Sequence, residues 1–279
     1  MEAAAKHGCE AHQDISALEG ETDAAIVAVP TVHHASVACA LLERGIDVLV
    51  EKPIAPDLNS ARQIAESARK NGRILQVGHL ERFNPAVIAL RETVTLPLFF
   101  EIHRMSAFSP RSLDVDVVLD LMIHDIDIVL SLAGSMPEEI RAAGISILSE
   151  KVDIANVRLA FPGGCVANLT ASRISTEKIR KLRLFQPGHY ISVDYQRQDG
   201  AVFSVNGQQQ IGFQQLSVQK AEPLRLELEA FLDCVRTRRE PLVTAEDAIQ
   251  ALEVALSILS SIEEHASIVR KTIGAHAGK

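Results

Sequence analysis

Two pairs of polar residues in this sequence have the types and the spacing that chemistry on a bound ligand requires. Glu51 and Lys52 directly follow the apolar run Val48–Val50, so they place a carboxylate and an amine at the end of a predicted buried strand. Ligands of open α/β sheets bind at this carboxyl end of the strands. Asp120 and His124 are four residues apart in a predicted helix, so both project from one face and can contact the same ligand.

The elements that would position Glu51 and Lys52 alternate between strand and helix. Apolar runs predict strands at 24–29, 48–50 and 74–78, and residues of helical periodicity predict helices at 36–44 and 59–71. Strands joined by crossover helices form a parallel sheet. Residues 1–93 are therefore predicted to form an α/β domain.

The pattern changes after residue 96. β-like segments predominate, and one early helix, at about 117–132, carries Asp120 and His124. The segments are 98–103, 140–147, 156–161, 165–171, 182–186 and 190–195, with Pro162-Gly163-Gly164 as a hairpin turn. Residues 94–279 are therefore predicted to form an α+β domain with a large, mostly antiparallel sheet. Its C-terminal helices, at 223–237 and 245–264, are expected to pack back onto the first domain.

Three short motifs follow one another along the chain. They are Pro30-Thr31-Val32-His33-His34, Glu51-Lys52-Pro53 and Asp120-Leu121-Met122-Ile123-His124. In these motifs, and over nearly its whole length, the sequence resembles the Gfo/Idh/MocA family of nicotinamide-dependent sugar oxidoreductases. The resemblance implies a Rossmann-type parallel sheet, NAD or NADP as the cofactor, and hydride transfer between that cofactor and a hydroxyl of a sugar or nucleotide sugar.

Members of that family begin with a strand, a Gly-x-Gly-x-x-Gly turn and a helix, whereas this sequence contains no such glycine pattern. The resemblance therefore implies an incomplete dinucleotide-binding domain, in which the first strand, the glycine turn and the second strand are absent. Because the glycine turn normally holds the pyrophosphate, a truncated or noncatalytic sugar-binding or assembly protein is an alternative. A further alternative is a glycosidase that uses NAD internally, since the same family includes such enzymes.

The resemblance also implies roles for the reacting groups. His124 is the leading candidate for the general base, because the ordinary pKa of histidine lies near the operating pH. Lys52 would hold the reacting oxygen, and Asp120 would orient the imidazole or bind a neighbouring hydroxyl. The division of labour between Lys52 and His124 stays open. Taken alone, each motif has a structural alternative: a lysine at a strand end, and an ordinary ion pair on a helix.

Cofactor contacts are expected along the carboxyl ends of the first two predicted strands. By resemblance they involve Val29, Pro30, Thr31, His34, Glu51, Lys52 and Pro53. Glu51 would border the nicotinamide ribose, and the Lys52–Pro53 peptide bond is expected to be cis. The alternative for His34 is a residue at a helix start that makes local hydrogen bonds, and for Glu51 it is a solvated charge.

Three further polar residues are candidates for substrate contact. Arg82 and Asn84 follow the third predicted strand, on the rim that carries Lys52, and Arg82 could clamp a phosphate or carboxylate. The run Glu81-Arg82-Phe83-Asn84-Pro85 is similar to family members that act on nucleotide sugars. The alternatives are an interdomain ion pair for Arg82 and a turn cap for Asn84. Arg173 could reach the substrate from the second sheet, although a cross-strand ion pair is the default.

The composition restricts the partners. The 279-residue chain has a net charge of -8 and is 47% hydrophobic, which favours a small-molecule ligand over nucleic acid or an anionic membrane. Cysteines that are widely spaced and form no Cys-x-x-Cys pair predict reduced thiols and a cytoplasmic location. Only His124 and Asp127 of the run His124–Asp127 share a helix face, so no metal is predicted. The large second sheet, through which members of the family associate, implies a homodimer or homotetramer.

Overall fold

The computed structural model describes residues 2–108, 115–205 and 210–277. Its backbone forms two compact units. The first comprises Met1–Gly78 and Ala230–Ala245, and the second comprises His79–Glu229 and Glu246–Lys279. The domain boundary after residue 93, and the packing of C-terminal helices onto the first domain, stay predictions.

The first unit contains a parallel sheet of three strands in the order β1–β2–β3. The strands are β1 (Ala24–Val27), β2 (Asp47–Glu51) and β3 (Leu75–Gly78). Helix α1 (Glu2–His7) precedes them, α2 (His34–Glu43) connects β1 with β2, and α3 (Leu58–Asn71) connects β2 with β3. The predicted alternation of parallel strands and crossover helices is confirmed.

Helix α3 shows how the local sequence sets these bounds. The Asp57 carboxylate accepts a hydrogen bond from the Ser60 amide at 2.9 Å and so caps the first turn. Residues at helical spacing form its buried face: Ala61, Ile64 and Ala68. Gly72 ends the helix with a φ of 61°, a left-handed conformation that a residue with a Cβ rarely adopts. The cap, the apolar face and the terminal glycine together account for the residues over which α3 extends.

The second unit contains an eight-stranded sheet in the order β11–β10–β9–β8–β4–β7–β6–β5. Its strands are β4 (Phe99–Ala107), β5 (Glu139–Ile145), β6 (Ile154–Ala160), β7 (Val166–Ser175), β8 (Ile179–Gln186), β9 (His189–Asp194), β10 (Asp199–Val205) and β11 (Ile211–Gln215). Neighbouring strands are antiparallel except for β4 and β7, which pair in parallel. The predicted large, mostly antiparallel sheet is confirmed.

Three elements of the second unit are not evident from the sequence pattern. They are helix α4 (Pro85–Thr93) and the strands β10 and β11. Strand β11 is exposed along its whole length, so it lacks the alternation of a half-buried strand. It forms because β10 supplies a partner, with antiparallel pairing from Ala201 to Val205.

Helix α5 (Ile123–Ala133) packs with the large sheet in the hydrophobic core of the second unit. Phe100 and Ile102 of β4 point into this core, whereas the alternate residues of the strand are more exposed. The remaining helices are α6 (Pro223–Thr237) and α7 (Ala245–Ala277), and α7 adds core residues such as Val254 and Ile258.

The helical segment that carries Asp120 and His124 is not regular. Val118–Met122 form a π-helical turn in which the Ile123 amide donates to the Val118 carbonyl, and α5 begins only at Ile123. The prediction of one α-helix over 117–132 is therefore wrong in its first turn. A π-helix pairs residues five apart instead of four. The four-residue spacing of Asp120 and His124 thus spans a change of helical period, which apolar periodicity over so few residues cannot reveal.

Candidate active site

Glu51, Lys52 and Pro53 lie at the carboxyl end of β2, where the sequence places them. Glu51 pairs in register with Gly78 of β3. A Cβ at position 78 would lie 3.1 Å from Oε2 of Glu51 and 3.3 Å from its Cα. Glycine at position 78 therefore leaves the space in which the Glu51 carboxylate is held. The Lys52 amide donates to the same Oε2 at 3.3 Å, and the Lys52–Pro53 peptide bond is cis, as predicted.

His34 connects the chain after β1 with the turn after β2. Its ring is buried; Nδ1 lies 3.0 Å from the carbonyl oxygen of Pro53, and Nε2 lies 2.9 Å from that of Val29. The bond to Pro53 crosses between two strand ends, so the side chain does more than cap its own helix. Val29 and Pro30 are exposed beside it, and Thr31 begins a short 3₁₀-helix. Cofactor contact by these residues stays a prediction.

The groups at these strand ends fit the nicotinamide half of a dinucleotide. A carboxylate such as Glu51 accepts hydrogen bonds from ribose hydroxyls, and the Lys52 ammonium donates to oxygen. The close packing of Glu51 on Gly78 leaves the carboxylate in a defined place at the sheet edge. The sequence contains no Gly-x-Gly-x-x-Gly turn, so the fit concerns the nicotinamide half and not the pyrophosphate.

In the second unit the structure brings His124 together with His79. The two rings lie edge to face, with an interplanar angle of 86° and centroids 6.3 Å apart. His79 is buried and directly follows β3, whereas His124 is half-buried in the first turn of α5. The sequence-based site does not include His79. Its position immediately after β3, which matches that of Lys52 after β2, is the signal that could have identified it.

Lys52 belongs to the first compact unit, and Asp120 and His124 belong to the second. Lys52 and Asp120 are both half-buried, as His124 is. Each of the three residues is therefore partly accessible, which contact with a substrate requires. Their catalytic roles stay predictions.

The structure places Arg82 and Asn84 in bonds within the second unit. Arg82 donates from Nε and one terminal nitrogen to the two carboxylate oxygens of Asp127, at 2.7 and 3.1 Å. Burial opposes the charge of Arg82, but Asp127 and Asp247 outweigh it and raise the pKa of the guanidinium. The Asn84 side chain accepts from the Ala86 amide and caps α4, as its structural alternative proposes.

Arg173 of β7 forms an ion pair with Asp153, the residue immediately before β6. Its Nε lies 3.5 Å from Oδ1 of Asp153, and a terminal nitrogen donates to the carbonyls of Val115 and Val152. Substrate contact by Arg82, Asn84 and Arg173 stays a prediction.

Two properties of the described residues bear on the kind of site. Within residues 2–108, 115–205 and 210–277, no group of three or more His, Cys, Asp or Glu side chains has a geometry that could hold a metal ion. Of the helices that the structure describes, none is both long and apolar enough to cross a bilayer.

Comparison with known families decides the ancestry of this arrangement. Residues 1–79 match the model of the Gfo/Idh/MocA oxidoreductase family described as an NAD-binding Rossmann fold, and residues 114–269 match its C-terminal alpha/beta domain. The chain belongs to the Gfo/Idh/MocA oxidoreductase family. The predicted family, a nicotinamide cofactor (NAD or NADP) and the oxidoreductase class are thereby confirmed.

Relatives of this family member span most of its length. UDP-N-acetylglucosamine 3-dehydrogenase of Acidithiobacillus ferrooxidans is 34% identical over 94% of the chain and 86% of the relative. A solved structure of that enzyme superposes with a TM-score of 0.90 at 33% identity, again covering 94% of this chain and 86% of the other. The NAD-dependent scyllo-inositol 2-dehydrogenase of Bacillus subtilis is 26% identical over 86% of the chain and 75% of the relative.

Proposed function

We propose that this family member oxidises the 3-hydroxyl of the sugar in a UDP-linked N-acetylhexosamine and uses NAD or NADP as the hydride acceptor. The observation that carries the proposal is the 34% identity, over 94% of the chain, to an enzyme named UDP-N-acetylglucosamine 3-dehydrogenase. The inositol dehydrogenase is more distant, at 26% identity. Both relatives are named as dehydrogenases of a ring alcohol, so the choice between them concerns the substrate and not the reaction.

Alcohol oxidation requires a base for the hydroxyl proton and a donor that stabilises the oxygen as its charge develops. His124 takes the proton on an imidazole nitrogen, and the Lys52 ammonium serves as a hydrogen-bond donor. Asp120 orients the imidazole or accepts a hydrogen bond from a neighbouring hydroxyl. Glu51 accepts from the ribose hydroxyls of the cofactor, which when bound supplies the acceptor for the hydride. Each of these groups is half-buried, so none carries the full desolvation cost of a buried charge.

The proposal is tested with UDP-N-acetylglucosamine deuterated at carbon 3 and, as the matched control, at carbon 2. The chain is incubated with either substrate and NAD or NADP, and the reduced cofactor is analysed by absorbance and mass spectrometry. We expect deuterium in the reduced cofactor from the 3-labelled substrate alone. Transfer from carbon 2, or turnover of scyllo-inositol in preference to the nucleotide sugar, would contradict the proposed substrate.

The same incubations distinguish the alternative functions. A glycosidase that uses NAD internally releases free UDP or free sugar without net reduction of the cofactor. A noncatalytic sugar-binding protein shows heat of binding with the nucleotide sugar by calorimetry, but no turnover. Binding of NADH and NADPH is measured in the same way and decides which cofactor the chain prefers.

The roles of His124 and Lys52 are tested by His124→Gln and Lys52→Met, with His103→Gln as the control. Removing a general base typically reduces kcat by roughly 10²- to 10⁴-fold, and we expect such a loss for His124→Gln. Lys52→Met should also reduce kcat, because it removes the donor to the reacting oxygen. His103 lies on β4 and is partly exposed, so its replacement should leave kcat unchanged. Wild-type kcat in His124→Gln would exclude it as the base.

We also propose that the chain forms a homodimer or homotetramer through the outer aromatic row, the contiguous rings of Phe99, Phe185, Tyr190, Phe203 and Phe213. Phe213 is 67% exposed and Phe185 is 39% exposed. Exposed contiguous apolar surface of this kind marks interaction sites. Sedimentation velocity should show an oligomer that Phe213→Ser weakens, whereas Leu224→Ser, on an exposed position of α6, should not. A monomeric wild-type chain would exclude the assembly.

A further inference from the structure

The second unit contains a buried ion network outside the groups assigned to the reaction. Its centre is Arg104 of β4, whose side chain is 2% exposed. Nε and one terminal nitrogen of Arg104 donate to the two carboxylate oxygens of Asp125, at 2.7 and 2.8 Å. The other terminal nitrogen donates to Oε1 of Glu81 at 2.8 Å. The planar guanidinium fork thus binds two carboxylates at once, which fixes both in direction as well as distance.

The two carboxylates come from the segments that carry the histidine pair. Asp125 directly follows His124, and Glu81 lies two residues after His79. One guanidinium therefore ties the first turn of α5 to the 3₁₀-helix Leu80–Phe83. The edge-to-face contact of the two imidazoles lies between the same two segments.

Further contacts add a second guanidinium and an amide donor to this network, so two guanidinium groups face its two carboxyl groups. Arg180 donates to Oε1 of Glu81 at 3.3 Å, and the Asn84 side-chain amide donates to Oε2 at 3.1 Å. Burial opposes the charge of Glu81, but Arg104 and Arg180 outweigh it and lower the pKa of the carboxyl group. The Arg104 guanidinium carbon also lies 5.5 Å from the centroid of the Tyr195 ring, within the range of a cation–π contact.

A network of this kind is poorly explained by stability alone. Taking two charges out of water costs about as much as their attraction returns, and apolar residues of similar volume often serve a core equally well. The guanidinium fork adds a fixed orientation of the two carboxylates that it binds. An imidazole that serves as a base must meet the hydroxyl in the correct orientation, and a misplacement of about 1 Å can cost roughly a hundredfold in rate.

We propose that Arg104 is a positioning residue for His124. By holding Asp125 and Glu81 together, it fixes the backbone on either side of the histidine pair, and His79 supports the ring of His124 from its edge. This inference rests on the proposed role of His124 as the base, but its geometric content, the orientation of the two rings, can be measured without any reaction.

The test uses two variants of the whole chain and one control. Arg104→Lys keeps the charge but loses the fork. Arg104→Gln with Asp125→Asn removes the fork without leaving an unpaired charge, because Glu81 keeps its contact with Arg180. The control is Arg225→Lys, the same substitution at an exposed ion pair with Glu229 on α6.

Two readouts are compared. The first is the set of ¹³C and ¹⁵N imidazole signals of His79 and His124 in histidine-labelled protein, assigned with His79→Gln and His124→Gln. The second is the separation of kcat from KM for UDP-N-acetylglucosamine. We expect both Arg104 variants to shift the two imidazole signals and to reduce kcat by roughly ten- to a hundredfold. KM should change by less than about twofold, as for an interaction made only in the transition state.

The outcomes separate this inference from the proposed function. Unshifted His79 and His124 signals in either folded Arg104 variant would overturn the inference, whatever the activity. Shifted signals in a chain that oxidises no offered sugar would contradict the proposed function and leave the positioning of the rings supported. Equal losses in Arg225→Lys would show a general effect of the substitution and would also overturn the inference.

Discussion

The buried pair of Arg82 and Asp127 allows a prediction that separates a structural role from substrate binding. Both side chains are nearly inaccessible, at 6% and 2% exposure. Arg82 has a second acid within reach, because its terminal nitrogen lies 3.6 Å from Oδ1 of Asp247, whose side chain is 35% exposed. The two single replacements should therefore differ in their effect on stability.

The structure sets the order and size of these effects. Arg82→Met removes the guanidinium from a buried carboxylate, which should lower the free energy of unfolding by about 3–5 kcal/mol. Asp127→Leu leaves Arg82 with Asp247, so the loss should be smaller, about 1–3 kcal/mol. If these effects were independent, the double variant would lose about 4–8 kcal/mol. Because it contains neither buried charge, we expect it to lie within about 1 kcal/mol of the wild-type chain.

Urea unfolding followed by circular dichroism, under identical conditions for all four proteins, measures the complete double-mutant cycle. A double variant that is as unstable as the sum of the single variants would refute the reasoning. Because the double variant is expected to fold and lacks the guanidinium, it also isolates substrate binding. We expect its KM for UDP-N-acetylglucosamine to stay within about twofold of wild type; a large increase would assign Arg82 to the substrate.

Four other features of the structure can be tested by substitution or by chemical labelling. First, the pKa of Glu81 is lowered in the folded state, so this carboxyl group contributes stability that is present above its unfolded pKa and is lost as the pH falls through its folded pKa. Glu81→Gln should therefore flatten the fall of the unfolding free energy at acidic pH, and an unchanged pH dependence would contradict this prediction. Second, Asn84→Asp keeps the cap on α4 but loses the donor to Glu81 and adds a like charge. Urea unfolding should therefore show that the free energy of unfolding falls by about 2 kcal/mol or more. Wild-type stability would count against the network around Glu81. Third, an added Cβ at Gly78 would lie 3.1 Å from Oε2 of Glu51 and would displace this carboxylate. Gly78→Ala should therefore weaken the binding of NADH, measured by calorimetry, by roughly tenfold. An unchanged affinity would show that Glu51 does not contact the cofactor. Fourth, Cys9 is exposed, whereas burial raises the pKa of the Cys39, Cys165 and Cys234 thiols. A thiol reagent should therefore label Cys9 quickly in the native chain and the other three cysteines only after unfolding. Fast labelling of a second cysteine would contradict the burial.

Local sequence is enough to predict the parallel unit and the place of Glu51 and Lys52 within it. An apolar run such as Val48–Val50 can be satisfied only by burial on both faces, and the residue that follows it must emerge at the carboxyl edge of the sheet. The span of α3 is predictable for a similar reason, because an apolar stripe and a terminal glycine are local signals. The order of the motifs from Pro30 to His124 likewise predicts the family.

Which polar groups meet depends on the tertiary fold and not on their spacing in the sequence. Arg104 lies 21 residues from Asp125 and 23 from Glu81, and no local spacing relates these positions. The same holds for Arg82 with Asp127, 45 residues apart, and for the pairing of Arg173 with Asp153. Ion pairs form where the fold brings charges together, and desolvation at that place sets their strength. The π-helical turn before His124 is likewise not predictable from the sequence, because one altered hydrogen bond does not change the apolar periodicity.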